Sequence, residues 1–462
     1  MSLIPSLAAP ADAMFLLPET REQPMHVGSL QLFQPAPGAG PDTLAELYQQ
    51  ALATEDVAPV FRKRPVRGLS TLGQWAWEQD DAIDLEHHVR HSSLPRPGRV
   101  RELLALAGRL HSTLLARQRP LWVMHLIEGL EDGRFAVYTK LHHALMDGIS
   151  GLRLLERSLS TDPGARDVPM PFATRPRPAR AGGGFDLGDL GGLLGSGVRA
   201  VGDAVGLAPR VASLLEQALR HQGAALPMQA PRSILNVPIT GSRRFAGDAW
   251  DLERVRAVAK AADATVNDVV LAMSAGALRD YLLSLDALPD DPLVAMTPVS
   301  LRTDEADGDG GNAVGTILAS LGTDLADAEE RMLAVRESMR RGKAALAGLS
   351  PLQVTALSAG VMSPLLVNTV LGVPRFVRPP FNLVISNVPG PRQPLYWNGA
   401  LLDGMYPLSI PTAGQALNIT VTSYAGQLQF GLTGCRRSLP HLQRMLVGLD
   451  DALGELERAF VS

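Results

Sequence analysis

The sequence predicts an α/β protein with more than one domain, and three observations support this class. The run 135–141 alternates between two sets of side chains with the period of two that is typical of a β-strand. Directly after it, Ile149, Leu152, Leu155 and Leu159 recur at helical spacing. With 462 residues, the chain is also longer than one ordinary hydrophobic core requires, so we expect two domains.

The first predicted domain covers residues 1–162. A helix is expected over 101–117, because its leucines and alanines gather on one side. Strands 121–127 and 135–141 follow, and the Asp132-Gly133 pair between them predicts a hairpin.

A linker is predicted over residues 163–234, where prolines and then glycines become frequent. Its later part, 198–219, contains two amphipathic helical segments that are broken at Pro209. Such segments could contact a lipid surface or could pack between the domains. We favour packing, because few basic residues flank the apolar stripe.

The second predicted domain covers residues 235–462. Thr265 is the expected cap of a helix whose apolar face includes Val269 and Met273. Short buried strands are expected at 293–298 and 381–386. A hairpin around Ala425-Gly426 is expected to join two more strands.

Composition narrows the possible classes of function. The formal net charge of -4 and the absence of a long basic run argue against nucleic-acid binding. Cys435 is the only cysteine, so no disulfide framework is possible, and we expect it to be a small packed residue. The N-terminus does not resemble a signal peptide, and no run of about 20 apolar residues predicts a spanning helix.

The segment from His142 to Gly148 is the strongest candidate for a reactive site. Two adjacent histidines are followed by Asp147 and Gly148 at the point where the strand gives way to the helix. The strand period places His143 on the apolar face that we expect to point inward, while His142 braces the turn. Asp147 lies where a carboxylate can accept the free N–H groups of a helix N-terminus.

This cluster has three interpretations. It could be a buried structural histidine with a capping aspartate. It could also bind a metal, but successive strand residues point apart and no ligand spacing elsewhere completes a site, so we predict no metal. We favour the third interpretation, a general base, because a neutral imidazole with a pKa of about 6.5 can remove a proton from a hydroxyl near neutral pH.

The motif HHALMDG at 142–148 resembles the HHxxxDG motif of the bacterial wax ester synthase/diacylglycerol acyltransferase family. That family is grouped with other CoA-dependent acyltransferases and with peptide-synthetase condensation domains. Further similar segments occur in the family's order: PMHVG at 24–28, PLW at 120–122, ND at 267–268 and SNVPGP at 386–391. The resemblance extends from about residue 12 to the C-terminal helix and is weakest across the linker.

The resemblance implies a fold and a reaction. The fold would be two domains like those of chloramphenicol acetyltransferase, with mixed sheets flanked by helices and a tunnel between the domains. The acyl donor would be acyl-CoA, and the acceptor a fatty alcohol or diacylglycerol, with His143 as the general base. No cofactor is implied. Direct transfer also needs no serine nucleophile, which fits the absence of a Gly-x-Ser-x-Gly segment.

Several other residues are candidates for roles in the same reaction. Asn267 and Asn387 could stabilise the oxyanion, although Asn267 could equally make a hydrogen bond within its helix turn. The resemblance implies that Asp147 holds the motif in shape through an arginine, for which Arg302 is our candidate; alternatively Arg302 is simply exposed.

A basic helix face is a further candidate. Arg336, Arg340 and Lys343 could meet CoA phosphates or anionic lipid, although a solvated stripe is the more ordinary interpretation.

The sequence also allows other functions. The chain could use another alcohol or a carrier-bound donor, or it could be a non-catalytic scaffold on a lipid surface. We expect a cytoplasmic protein at the periphery of the inner membrane or of lipid inclusions.

Overall fold

Two six-stranded mixed sheets organise the chain in this computed structural model, which describes residues 5–40, 42–174, 230–301, 313–347, 349, 353–354 and 378–461. The strands are β1 Ser6–Leu7, β2 His26–Gln34, β3 Lys63–Val66, β4 Ala76–Gln79, β5 Val89–Ser93, β6 Trp122–Glu128, β7 Phe135–His142, β8 Arg243–Asp251, β9 Val294–Leu301, β10 Ala313–Ser320, β11 Leu383–Val388, β12 Tyr396–Trp397, β13 Ala400–Leu408, β14 Leu417–Tyr424 and β15 Gln427–Cys435. The α-helices in the described ranges are α1 Pro10–Leu16, α2 Thr43–Leu52, α3 Leu85–His88, α4 Val100–Ser112, α5 Gly148–Arg157, α6 Leu252–Ala261, α7 Val266–Leu283, α8 Ala328–Leu346 and α9 Arg444–Phe460.

The first large sheet has the order β12-β13-β2-β7-β6-β5. Strands β6 and β7 pair antiparallel, so the predicted hairpin is confirmed, and β5 pairs parallel with β6. The predicted helix 101–117 exists as α4 but already ends at Ser112.

Strand β7 is buried on both faces, so the prediction of one inward and one outward face is wrong. Phe135 and Val137 pack in a core with Trp122, while Ala136 and Tyr138 pack in a second core with Leu103 of α4. Lys140 also lies on the α4 side, where its ammonium donates to the carbonyl groups of Leu110 and Thr113 at 2.8 and 2.6 Å. The alternating pattern therefore reflects two different cores rather than a core and solvent.

The second large sheet has the order β10-β9-β11-β14-β15-β8. Strands β9, β11 and the β14–β15 hairpin occupy the places that the sequence predicts, and Thr265 caps α7 through the backbone N–H of Asp268. Ala425 and Gly426 both have positive φ angles, which a tight hairpin turn requires.

One strand from the C-terminal half joins the first sheet. Strand β13 pairs antiparallel with β2, and it also packs against β15 of the second sheet. There a methyl group on Gly431 would lie 1.9 Å from the carbonyl oxygen of Pro407, so only glycine permits this approach. The domain boundaries at residues 162 and 235 stay a prediction. Strands β12 and β13 lie in the predicted second domain by sequence but belong to the first sheet.

A small sheet of order β1-β4-β3 lies beside α1. Trp77 of β4 donates its indole N–H to Asp12 of α1 at 3.0 Å, and the Ala8 amide donates to the Trp75 carbonyl at 2.9 Å. Within the described ranges, no helix has the length and apolarity to cross a membrane. The amphipathic segments at 198–219 and most of the linker lie outside those ranges.

Candidate active site

The HHxxxDG segment forms the turn that joins β7 to α5. Strand β7 ends at His142, and α5 begins at Gly148, one residue before the predicted start. Asp147 is the N-cap: its two carboxylate oxygens accept from the Ser150 amide and the Ser150 hydroxyl, both at 2.8 Å. The cap that the sequence predicts is therefore present.

His142 is wholly buried beneath this turn. Its Nδ1 accepts the backbone N–H of Ala144 at 3.0 Å, which places the proton of a neutral ring on Nε2. That Nε2 faces the Glu19 carboxylate at 3.3 Å, within ion-pair distance but without the alignment of a hydrogen bond. The ring thus connects the turn to a carboxylate that is distant in sequence.

Glu19 is a site residue that the sequence did not identify. Its side chain is 2% exposed, and it accepts from the Met25 amide at 3.0 Å and from the Arg117 guanidinium at 3.0 Å. Burial by itself raises the pKa of Glu19, but His142, the Met25 amide and Arg117 more than offset it, so the pKa is lowered. The sequence carries no signal for this contact, because 123 positions separate Glu19 from His142 and only folding brings them together.

The His143 ring stacks on Phe15 of α1, with ring centroids 3.9 Å apart and planes inclined by 21°. The backbone N–H of His143 donates to the Met25 carbonyl at 2.8 Å. The residue as a whole is partly exposed, but neighbouring atoms enclose its ring. This burial lowers the pKa of His143 to about 4, although the negative charge of Asp147 raises it by a smaller amount. At neutral pH the imidazole is uncharged, which is the form that can accept a proton.

The Nδ1 atom of His143 is buried and has no hydrogen-bond partner among the described residues, so none of their carboxylates orients the ring through that atom. Stacking and the backbone contact to Met25 hold it instead. This arrangement differs from a serine-protease triad, in which an aspartate fixes the imidazole.

Gly148 is exposed, and a methyl group added to it would come no closer than 3.9 Å to the side chain of Val27. Folding of the described part of the chain therefore does not explain why this position is glycine.

A cavity of about 620 Å³ lies in the second half of the molecule, between α7 and the loop after β11. Asn267 and Asn387 both line it, so the structure brings these two predicted residues together. His143 is not among its lining residues. The positively charged residues that line the cavity are Arg256, Lys343 and Arg392.

Helix α5 connects the motif to this cavity. Glu156, near the end of α5, lies against Gly390 of the cavity wall. A methyl group added to Gly390 would be 3.1 Å from a carboxylate oxygen of Glu156. At about 1.5 Å per residue, Glu156 is about 12 Å along the helix from Gly148. Burial raises the pKa of Glu156 to about 7.

The predicted basic face of α8 divides into separate environments. Arg336 donates to the Ala262 carbonyl at 2.7 Å, and Arg340 pairs with Glu337 at 2.7 Å. Lys343 alone of the three lines the cavity. Arg302, the predicted partner of Asp147, lies outside the described residues.

The chain is similar to known proteins of one family. The model of the wax ester synthase/diacylglycerol acyltransferase catalytic domain matches residues 8–270, and that of the C-terminal domain of the same family matches residues 310–457. A probable diacylglycerol O-acyltransferase of Mycobacterium tuberculosis H37Rv is 50% identical over 456 residues, which cover 98% of this chain and 99% of that protein. A second, putative diacylglycerol O-acyltransferase of the same strain is 51% identical over 453 residues, with the same coverage.

Solved structures show the same relationship. The wax ester synthase/diacylglycerol acyltransferase from Marinobacter aquaeolei VT8 is 43% identical and superposes with a TM-score of 0.80 over 98% of this chain and 99% of that one. The starter condensation domain of rhizomide synthetase shares the fold alone, with 14% identity and a TM-score of 0.57 over 98% of this chain and 94% of that one. The predicted two-domain α/β fold of the CoA-dependent acyltransferase type is thereby confirmed. The chain belongs to the wax ester synthase/diacylglycerol acyltransferase family and is an O-acyltransferase.

Proposed function

We propose that this protein transfers a long-chain acyl group from acyl-CoA to a fatty alcohol or to the free hydroxyl of diacylglycerol, with His143 as the general base. The observation that carries the proposal is the stacking of the His143 ring on Phe15 at the family's motif turn, where burial lowers the pKa of His143. The names of the relatives support diacylglycerol as one acceptor.

The reaction follows from the properties of this imidazole. His143 accepts the hydroxyl proton while the hydroxyl oxygen bonds to the thioester carbonyl carbon. The tetrahedral intermediate then breaks its C–S bond, and the imidazolium returns the proton to the leaving thiolate. An imidazolium with a pKa of about 4 is a stronger acid than a thiol, whose pKa is about 8.5, so this return is strongly favourable.

The same low pKa makes His143 a weak base. It cannot hold a proton from a free alcohol for long, so proton removal must accompany attack on the carbonyl. Its position therefore matters more than its basicity. We assign positioning roles to His142, which ties the turn to Glu19, and to Asp147, which caps α5.

The cavity next to α7 suits the phosphate end of CoA. Arg256, Lys343 and Arg392 are exposed at its edge, whereas Val266 and Pro298 give it apolar wall. Neither acceptor carries an anionic group, so a cation-lined cavity fits the donor. At the N-terminus of α7 the Asp268 carboxylate already accepts from the amide and the hydroxyl of Thr265, and its negative charge disfavours an anion there, so the side-chain cations would do the binding.

Asn267 and Asn387 would then lie along the donor's path. Their amide groups remain our candidates for stabilising the oxyanion, and Asn387→Ala tests the one that lies near the end of strand β11 rather than in a helix turn. Loss of an oxyanion donor lowers kcat by about 10²–10³-fold in a well-studied hydrolase.

The experiment that tests the function uses purified protein with palmitoyl-CoA and either hexadecanol or dipalmitoylglycerol. Free thiol and ester product are measured together. We expect His143→Ala to lower the rate by about 10²–10⁴-fold, the usual contribution of a general base. His87→Ala, a change of the same kind outside the motif, is the matched control. If neither acceptor supports CoA release that depends on His143, the proposal is wrong.

A second experiment tests the donor site. The kcat/KM for palmitoyl-CoA is compared with the kcat/KM for palmitoyl-pantetheine, which lacks the phosphates. We expect Lys343→Gln combined with Arg392→Gln to lower the ratio of the first to the second by about tenfold, since each exposed charge pair contributes up to about 1 kcal/mol. Arg341→Gln, which pairs with Glu337 on the same helix and does not line the cavity, is the control. An unchanged ratio would exclude this cavity while leaving acyl transfer itself in place.

Peripheral contact with a membrane or lipid inclusion completes the proposal. It rests on the water-insoluble acceptors that the reaction requires. The linker segments that first suggested such contact lie outside the described residues.

A further inference from the structure

The turn between β3 and β4, residues 68–73, presents two leucines almost wholly to solvent. Leu69 is 98% exposed and Leu72 is 91% exposed. Isolated exposed leucines are common on protein surfaces, but these two lie three positions apart at the tip of a single turn. Each loses nearly all the favourable free energy that burial of its side chain would provide.

The backbone at Leu72 makes its identity more unusual. Its φ is 50° and its ψ is 36°, in the left-handed region that disfavours residues with a Cβ. Glycine or asparagine would suit this position better for folding alone. Folding stability and solubility both disfavour a leucine here, and an interaction with a partner would account for it.

The surroundings of the turn indicate what that partner is. The basic run 62–67 leads into it, and the Arg67 guanidinium lies 5.6 Å from the centre of the Trp75 ring. Arg62 and Arg64 pair with acids, whereas Lys63 and Arg67 have no ion-pair partner among the described residues. Exposed leucines beside tryptophan and cations are typical of segments that enter the interface of an anionic lipid surface.

The turn is also connected to the active site. Trp75 lies two positions after the turn, and it belongs to the same apolar cluster as Phe15, whose ring stacks on His143. This region has further exposed apolar side chains: Leu7 of β1, Met14 of α1 and Leu17 just after α1. A lipid surface bound at the turn would therefore lie near the helix that contacts the catalytic histidine.

We propose that residues 68–73 form a docking turn that inserts Leu69 and Leu72 into an anionic phospholipid surface, with Lys63 and Arg67 facing the headgroups. Docking at this turn brings α1 toward the lipid from which a water-insoluble acceptor is drawn. The delivery of acceptor rests on the proposed function, but the docking does not.

Vesicle co-sedimentation tests the docking directly. The chain is mixed with vesicles of phosphatidylcholine alone or of equimolar phosphatidylcholine and phosphatidylglycerol. The test variant combines Leu69→Ser with Leu72→Asn; asparagine tolerates the left-handed backbone, so we expect its thermal midpoint to be unchanged or higher. We expect tight binding only to the anionic vesicles, and a loss of about tenfold or more in the variant.

The matched control combines Leu283→Ser with Val447→Ser, which removes two exposed apolar side chains from the second half of the chain. We expect the control to bind anionic vesicles as the unchanged protein does. Equal binding by the Leu69/Leu72 variant would overturn the proposal. If that variant also loses a dimer that the unchanged protein forms in sedimentation analysis, a second copy of the chain covers the turn instead of lipid.

A rate measurement separates docking from chemistry. We expect the ratio of the rate with vesicle-embedded dipalmitoylglycerol to the rate with a water-soluble short-chain alcohol to fall in the Leu69/Leu72 variant and to stay constant in the control. If the chain binds vesicles through this turn but transfers no acyl group to any acceptor, the proposed function fails and the docking proposal stands.

Discussion

At the scale of single residues, the lowered pKa of His143 has a consequence that kinetics can measure. Protonation of the free base should determine the acid limb of kcat/KM. Because burial lowers the pKa of His143 to about 4, we expect kcat/KM to stay level as the pH falls from 8 to about 5.5, rather than to decrease through the ordinary histidine value of about 6.5. The measurement is a pH profile with circular dichroism at each pH.

Phe15→Ala provides the control for this prediction. It removes the ring that stacks on His143 and admits water, so the acid limb should move upward toward pH 6.5. A limb near 6.5 in the unchanged protein would show that the His143 ring is solvated.

Asp147 permits a second test at this scale. Asp147→Ala removes both contacts to Ser150 and should lower the free energy of unfolding by about 1 kcal/mol, the usual contribution of an N-cap. Asp147→Asn can keep both contacts and should lose less. Urea unfolding of the two variants distinguishes a cap from a charge partner, because equal losses would point to an ion pair such as the one predicted with Arg302.

At the scale of elements, the close approach of β13 and β15 is the contact least tolerant of change. Gly431→Ala would place a methyl group 1.9 Å from the Pro407 carbonyl oxygen and 3.3 Å from the Phe245 ring. Backbone atoms of two sheets would have to separate, so we expect a loss of roughly 2 kcal/mol or more in the free energy of unfolding. Gly40→Ala, at an exposed site with open space around it, is the matched control. Equal stability of the two variants in urea would show that the sheets do not meet at Gly431.

Local chemistry explains which elements the sequence could predict. The β6–β7 and β14–β15 hairpins follow from Asp132-Gly133 and from Ala425-Gly426, and the start of α7 follows from Thr265. Each signal lies within a few residues of the structure that it specifies. The pairing of β13 with β2 has no such signal, because its partner lies more than 300 positions away.

At the scale of the whole molecule, buried histidines should make the protein sensitive to acid. Burial lowers the pKa of His88, His125 and His143 to about 4 and that of His111 to about 3. The unfolded chain, with histidine pKa values near 6.5, binds more protons than the folded chain between those values, so stability is present above pH 6.5 and is lost as the pH falls toward 4. Burial raises the pKa of Glu156 to about 7, so Glu156 acts in the opposite direction, as do Asp12 and Asp280, whose pKa values burial also raises. Burial of His26 and His87 lowers their pKa values and adds to the acid sensitivity.

Urea unfolding at pH 7 and pH 5 measures the net effect. We expect the free energy of unfolding to fall, with each of the four histidines contributing at most about 2 kcal/mol, since one pKa unit corresponds to about 1.4 kcal/mol. A higher stability at pH 5 would mean that these rings are solvated and that Glu156 dominates.

The sequence by itself determined the α/β class, the hairpins, the helix caps and the motif with His143 in it, because turn chemistry, side-chain periodicity and a contiguous motif are all properties of neighbouring residues. Only the tertiary structure decided that Glu19 and Phe15 enclose the two histidines, that β7 separates two cores, and that Asn267 and Asn387 share a cavity with Lys343. These contacts join residues that are far apart in the chain, so chain folding and burial determine them and no local pattern encodes them.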